Sequence, residues 1–126
     1  MAPPILSDNS TVYLTAAVAS PSEAKQVKGI GITEMGLYRT ELPVIQRQGH
    51  PREDSLSVLY GQVIAASDRV CFRLPDLKST SGIQTFYSEE ETNPAMGLRG
   101  VRLLLEYPDL LKRQLRAILR ATGDEV

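Results

Sequence analysis

The sequence predicts an α/β fold of order βαβαβα, with three parallel strands and helices between and after them. Three short apolar runs, at residues 12–19, 34–38 and 69–73, alternate with segments whose apolar positions recur at helical spacing. Alternating strands and helices favour a parallel sheet with right-handed crossovers. Arg39 directly follows the second run and Arg73 ends the third, so both arginines are expected at one rim of the sheet, where an anion can bind.

Length and composition indicate one domain, residues 1–126, with 42% hydrophobic residues for its core. Fourteen basic and fifteen acidic residues leave a net charge of −1, which argues against a broad nucleic-acid surface. The apolar runs are too short for a membrane span, and the N-terminus has no secretory-signal pattern. The single cysteine, Cys71, fits a reducing cytoplasm, and its place in an apolar run predicts a buried side chain rather than a nucleophile.

The first third of the chain predicts a lead-in, a strand and a capped helix. Residues 1–11 carry two prolines and a polar turn, so an irregular lead-in is expected. Residues 12–19 are apolar at nearly every position, which is typical of a strand buried on both faces. Ser20 and Glu23 form a capping box, and Gly29 is placed to stop the helix that follows.

The glycines at 29 and 31 resemble a phosphate-binding loop only superficially. They close a helix and precede the second strand, residues 34–38, whereas a dinucleotide loop follows a strand and opens a helix. Residues 42–52 are predicted to be a loop. The only histidine, His50, lies there with no suitably spaced partner, so an exposed loop histidine is favoured over a general base or phosphate carrier.

Two further helices are expected. One begins at Glu53 and has its apolar positions on one face, at Leu56, Leu59, Tyr60, Val63 and Ile64. The other covers residues 98–121, breaks at Pro108 and ends before Gly123. Its second part has an apolar face of Leu110, Leu111, Leu115, Ile118 and Leu119, and Arg113, Arg116 and Arg120 are expected in solvent. Between these helices come the third strand, residues 69–73, a polar loop at 78–88, and three adjacent glutamates at 89–91 that indicate a solvated charge run rather than a metal site.

Three motifs stand out along the chain: GLYRTE at residues 36–41, NPAMGLRGVR at 93–102 and QLRAILRA at 114–121. In this order they give the chain a resemblance to the phosphoenolpyruvate-utilising enzymes, nearest to Enzyme I of the bacterial phosphotransferase system. The resemblance implies the first part of a (β/α)8 barrel that binds phosphoenolpyruvate at the carboxyl ends of its strands. It further implies that Arg39 and Arg73 hold the substrate phosphate. This agrees with the expectation from the residues alone that the two arginines bind an anion at one rim of the sheet. Arg99 matches another family arginine near the site, and a structural ion pair is an equal alternative for it.

The departures from the family pattern concern catalysis. After the third-strand arginine the family usually reads RTxDxGGDK, whereas residues 73–81 read RLPDLKSTS, which keeps Arg73 and Asp76 but loses the glycines and the final Asp-Lys pair. The resemblance implies Mg²⁺ for the complete enzyme, with ligands in later barrel strands, and a phosphohistidine domain before the barrel. This chain is therefore expected to hold no cofactor and to be inactive alone.

Three hypotheses follow from these observations. The first is a fragment or truncated homologue of a phosphoenolpyruvate-dependent protein phosphotransferase of sugar transport, supplying the phosphate-binding arginines. The second is a non-catalytic binding or assembly module, either a homo-oligomer or paired with a complementary barrel segment, because three strands cut from a barrel leave two unpaired edges. The third, a small flavodoxin-like nucleotide binder, explains the element order and none of the motifs.

Overall fold

The computed structural model describes residues 4–46, 51–77 and 96–123. These residues form strands β1 (Ala16–Val18), β2 (Glu34–Arg39) and β3 (Arg69–Arg73), and helices α1 (Pro21–Gly29), α2 (Glu41–Gln46), α3 (Glu53–Ala65), α4 (Val101–Glu106) and α5 (Pro108–Thr122). The strands make one parallel sheet in the order β1-β2-β3. The predicted α/β fold with three parallel strands is confirmed. The predicted loop at residues 78–88, the glutamates at 89–91 and His50 lie outside the described residues.

The start of α1 is formed by the predicted capping residues. The Ser20 hydroxyl accepts a hydrogen bond from the Glu23 N–H at 3.2 Å, and the Glu23 carboxylate accepts one from the Ala19 N–H at 2.8 Å. These contacts satisfy backbone donors that the first turn of a helix leaves unpaired. The helix ends at Gly29, and Gly31 then adopts a φ of 89°, a conformation that glycine takes without a Cβ clash.

Among the residues that the structure describes, helices cover only one face of the sheet, which corrects two predictions. The first strand is limited to Ala16–Val18, and Tyr13 and Leu14 before it are exposed. Along β3, residues alternate between exposed and half-buried, and Cys71 is exposed rather than buried. An apolar run shows only that its residues are suited to burial. The second face of the sheet is buried only if another layer of the protein packs on it, and the described residues form no such layer.

The short helix α2 replaces part of the predicted loop at residues 42–52. Pro43 lies in its first turn, where a missing N–H costs no helical hydrogen bond. Val44 is fully buried and holds the helix against the rest of the chain. A six-residue helix has too few positions for a recognisable period, so tertiary packing rather than local pattern decides its conformation.

The main core lies between the sheet and helices α1, α3 and α5. At its centre the rings of Tyr38, Tyr60 and Phe72 contact one another with centroids 5.2 to 5.8 Å apart. Burial raises the pKa of Tyr38 to about 12 and raises that of Tyr60 as well, so both hydroxyls stay protonated at neutral pH. The Tyr60 hydroxyl donates to Gln114 Oε1 at 2.6 Å, which ties α3 to α5.

Helix α5 buries only part of its predicted face. Leu110 is buried and Leu111 and Ile118 are partly buried as predicted, whereas Leu115 and Leu119 are 43% and 49% exposed. Gln114 and Ala117 are buried in addition. Gln114 belongs to the buried face because its side-chain oxygen accepts a hydrogen bond from the Tyr60 hydroxyl. The spacing of apolar residues along α5 does not reveal this long-range contact. The predicted helix break at Pro108 and helix end before Gly123 are both confirmed.

A second apolar cluster lies beneath the carboxyl edge of the sheet. It joins α2, the segment after β3, α4 and α5 through the buried side chains of Val44, Leu77, Leu103, Leu104 and Leu110. The cluster fixes the segments that follow β2 and β3, where the predicted site lies. Within the described residues, every helix is too short or too polar to cross a bilayer.

Candidate functional site

Arg39 and Arg73 lie side by side at the carboxyl edge of the sheet. Arg39 is the last residue of β2 and Arg73 the last of β3, and the two are paired in the register of these parallel strands. Neighbouring strands are about 4.8 Å apart, so the two side chains leave the sheet next to each other. The predicted placement of two arginines on adjacent strand ends is confirmed, and their role in binding stays a prediction.

Both arginines open on a shallow cleft of about 270 Å³. Its lining consists of two cations, two carboxylates and two aliphatic side chains: Arg39, Arg73, Glu41, Asp76, Leu42 and Ile45. The two arginines come from the strands, Glu41, Leu42 and Ile45 come from α2, and Asp76 comes from the segment after β3. The cleft thus combines a charged side with an apolar side.

Thr40 and Glu41, which follow Arg39, fix the end of β3. The buried Thr40 hydroxyl donates to the Arg73 carbonyl at 2.7 Å. Glu41 Oε1 accepts from the Arg73 guanidinium at 2.5 Å and from the Asp76 N–H at 3.0 Å. Residues 39–41 therefore supply the Arg39 side chain to the cleft and also fix the position of Arg73. The hydroxyl and carboxylate next to Arg39 were visible in the sequence, but their partners lie more than 30 positions away along the chain.

Arg99 forms a two-pronged ion pair with Asp76. Its Nε and one terminal nitrogen donate to the two carboxylate oxygens at 2.9 and 2.7 Å. These hydrogen bonds and the negative charge of Asp76 raise the pKa of Arg99. Of the two roles considered for Arg99, the structure contains the ion pair, and Arg99 reaches the cleft through Asp76 rather than by lining it.

Gly100 allows this ion pair to approach the backbone. Its φ is +55°, and a Cβ added there would lie 3.2 Å from Asp76 Oδ1. Its N–H donates to the Leu77 carbonyl at 3.2 Å, which ties the start of α4 to the segment after β3. A side chain at position 100 would therefore strain the backbone and press on the carboxylate that Arg99 holds.

The two arginines of the cleft differ in their electrostatic surroundings. Arg73 forms an ion pair with Glu41, whereas Arg39 has no ion pair with any residue that the structure describes. Asp76 is neutralised by Arg99. The cleft thus keeps one positive charge without a described counter-charge, and an anion would complete the balance.

The described residues do not supply a ligand set for a metal ion. Across residues 4–46, 51–77 and 96–123, no three His, Cys, Asp or Glu side chains are grouped closely enough to hold one. Glu41 and Asp76 are both near the cleft, but each is already bound to an arginine. The Mg²⁺ that the family resemblance implies therefore does not fit the residues that the structure describes.

Comparison with known proteins gives consistent matches along most of the chain. Residues 1–125 match the family model described as PEP-utilising enzyme, PEP-binding domain. The multiphosphoryl transfer protein 1 of Escherichia coli K12 is 35% identical over 118 residues, which is 92% of this chain and 14% of that protein.

Two phosphoenolpyruvate-protein phosphotransferases are similar to a comparable degree. The protein from Streptomyces coelicolor is 33% identical over 122 residues, covering 94% of this chain and 22% of its own length. The protein from Geobacillus stearothermophilus is 33% identical over 120 residues, covering 94% of this chain and 21% of its own length. The chain thus spans between about a seventh and about a fifth of the relatives it matches.

Proposed function

Because the chain belongs to the family of PEP-utilising enzymes, we propose that it contributes a phosphate clamp to the substrate site of a phosphoenolpyruvate-dependent protein phosphotransferase. In this proposal Arg39 and Arg73 bind the phosphate of phosphoenolpyruvate. The observation that carries the proposal is the register pairing of these two arginines at the rim of one cleft. Guanidinium groups suit this task because they stay charged and meet phosphate oxygens with a planar fork of donors.

The clamp gives Arg39 and Arg73 separate roles. Arg39 brings a charge that has no described counter-ion, so no described carboxylate competes with the ligand for its donors. Arg73 is held by one of its nitrogens on Glu41, and the remaining donors of its fork can meet a second phosphate oxygen. A guanidinium that is fixed before binding loses less side-chain entropy when the ligand arrives.

We assign Arg99 an indirect part in the same site. By neutralising Asp76, it keeps a bare carboxylate from repelling a phosphate in the cleft. Phosphoryl transfer in this family also needs a residue that accepts the phosphoryl group, and the described residues include no histidine for that role. The proposal for residues 1–126 by themselves is therefore ligand binding without transfer, in the cytoplasm.

Titration of the purified chain with phosphoenolpyruvate tests the clamp. We expect saturable heat in isothermal titration at millimolar ligand, competition by inorganic phosphate, and weakening by added salt because the attraction is between charges near the surface. Arg99→Gln should weaken binding by about threefold or less, since it removes a neutralising charge rather than a direct donor. Absence of saturable binding at any salt concentration would rule out a standalone phosphate site.

An assembly module is the second candidate function, and an open face of the sheet favours it. Within the described residues β1 and β3 each pair on one side only, and the exposed face carries Ala17 and Cys71. Unpaired strands and uncovered apolar surface promote association, either with a second copy or with a complementary barrel segment. We expect a mass larger than one chain in light scattering at tens of micromolar. A strictly monomeric mass would remove this candidate and leave the clamp untouched.

A further inference from the structure

A second cavity, of about 160 Å³, lies among the start of α1, strand β2, helix α2 and the first half of α3. Its lining is largely apolar and includes Pro21, Leu42, Leu56 and Leu59. Of the described residues, Leu42 alone lines both this cavity and the arginine cleft, and no described charged side chain lines the cavity. Because burying an unpaired charge is costly, the cavity suits a neutral molecule rather than an anion.

The hydroxyl of Tyr38 is a buried polar group at this cavity. Tyr38 lines the cavity and is fully buried, and its hydroxyl forms no hydrogen bond with any residue that the structure describes. Burial and, to a smaller extent, the nearby charge of Glu23 raise the pKa of Tyr38 to about 12, so the hydroxyl keeps its proton. A buried hydroxyl without a partner costs free energy that a hydrogen bond would recover.

Contacts of Glu23 indicate which part of the cavity this hydroxyl adjoins. The Glu23 carboxylate accepts a hydrogen bond from the Ala19 N–H at 2.8 Å, and Ala19 itself lines the cavity. Since the same carboxylate is near enough to the Tyr38 hydroxyl to affect its pKa, the hydroxyl lies toward the part of the cavity that Ala19 forms. The cavity thus combines an apolar lining with one buried hydrogen-bonding group.

We propose that this cavity binds a small uncharged molecule about the size of one aromatic ring, whose hydroxyl or carbonyl oxygen pairs with the Tyr38 hydroxyl. The size follows from the volume, since a cavity of about 150 Å³ accommodates benzene. The hydroxyl has almost no accessible surface, so the ligand has to displace a partly exposed lining side chain such as Leu42, which is 37% exposed. The site goes beyond the phosphate clamp, because neither Arg39 nor Arg73 lines it.

Titration with phenol and toluene tests this proposal. The two molecules have nearly the same shape and size, but only phenol, which is neutral at about pH 7, can form a hydrogen bond with Tyr38. Each is titrated into the full chain, and binding is followed by the chemical shifts of backbone amides in NMR spectra. We expect saturable binding of phenol with a dissociation constant of about 1 mM, a moderate affinity for so small a ligand.

The variant Tyr38→Phe tests the contribution of the hydroxyl. It keeps the ring that contacts Tyr60 and Phe72 and removes only the oxygen, so the fold should be retained. Phenol should then bind about fivefold more weakly, because it loses a hydrogen-bond partner, whereas toluene should bind within about twofold of its original affinity. An equal change for both ligands would overturn the pairing with Tyr38.

A second variant reduces the space in the cavity. Ser55→Phe adds a ring at a lining position near the start of α3 and should abolish binding of both ligands. In the matched control Val58→Phe, the same ring is added to α3 at a position that is 64% exposed and lines neither the cavity nor the cleft, so both ligands should bind as before. A thermal melt of each variant checks that it folds, and Tyr38→Phe decides the matter if Ser55→Phe does not fold.

The outcomes decide this proposal separately from the phosphate clamp. Absence of saturable phenol binding to the original chain, or undiminished binding to a folded Ser55→Phe chain, would overturn the proposal and leave the clamp untouched. Arg39→Gln should leave phenol binding unchanged, since Arg39 does not line the cavity. If Arg39→Gln weakened phenol as strongly as it weakens phosphoenolpyruvate, phenol would be bound in the arginine cleft and the proposed site would be wrong.

Discussion

Arg73→Gln is expected to weaken phosphoenolpyruvate binding by more than tenfold, and by more than Arg39→Gln does. Either change removes charge-assisted hydrogen bonds to phosphate, each worth about 1.5–3 kcal/mol. Arg73→Gln has a second effect, because Glu41 then loses its cationic partner and its carboxylate, 13% exposed, repels the anion from inside the cleft. The two variants are compared by isothermal titration under identical salt.

A double variant and a control test why Arg73→Gln should weaken binding more than Arg39→Gln. Adding Glu41→Gln to Arg73→Gln removes the uncovered negative charge and should recover part of the lost affinity. Arg69→Gln is the matched control, since Arg69 begins β3 at the opposite edge of the sheet and should leave binding unchanged. Equal loss in Arg69→Gln and Arg73→Gln would mean that the chain attracts anions through its general charge, and the clamp would be wrong.

Leu104→Ala is expected to lower the free energy of unfolding by about 2–5 kcal/mol, the usual cost of a leucine-sized cavity in a core. Leu104 is fully buried among Val44, Leu77, Leu103 and Leu110. This cluster holds both α2 and the segment after β3 in place, so the variant should also bind phosphate more weakly. Urea unfolding followed by circular dichroism gives the first quantity, and titration under folding conditions gives the second.

The neighbouring residue supplies the control for that measurement. Leu105 is on the same helix and has the same side chain, but it is 65% exposed, so Leu105→Ala should change stability by about 0.5 kcal/mol or less. Similar destabilisation by the two variants would show that helix formation, rather than the buried cluster, limits stability here. A destabilised Leu104→Ala chain that binds phosphate with unchanged affinity would separate the cluster from the cleft.

The elements with strong local signals were predictable. The capping box at Ser20 and Glu23 predicts where α1 begins, and the helical period from Leu56 to Val63 predicts the buried face of α3. The position of the two arginines follows from one topological rule, because parallel strands bring their carboxyl ends to one edge. These features depend on residues a few positions apart, or on the chain order alone.

Features that depend on distant partners were not predictable. Cys71 lies in an apolar run and is nevertheless exposed, because no described layer covers that face of the sheet. The apolar periodicity of α5 suggested that Leu115 and Leu119 are buried, but the helix turns Gln114 inward to meet Tyr60. Helix α2 is too short to show a helical period in the sequence, so Leu42 and Ile45 on the apolar side of the cleft were not predicted.

By itself, then, the sequence determined the α/β order, the parallel sheet, the family and the pair Arg39 and Arg73 at one rim. Only the tertiary structure decided how that pair is held, through the contact of Glu41 with Arg73 and that of Asp76 with Arg99. The physical reason is distance along the chain. Strand order and capping follow from neighbouring residues, whereas the two ion pairs of the cleft and the contact of Tyr60 with Gln114 join residues 23 to 54 positions apart, which only the folded chain brings together.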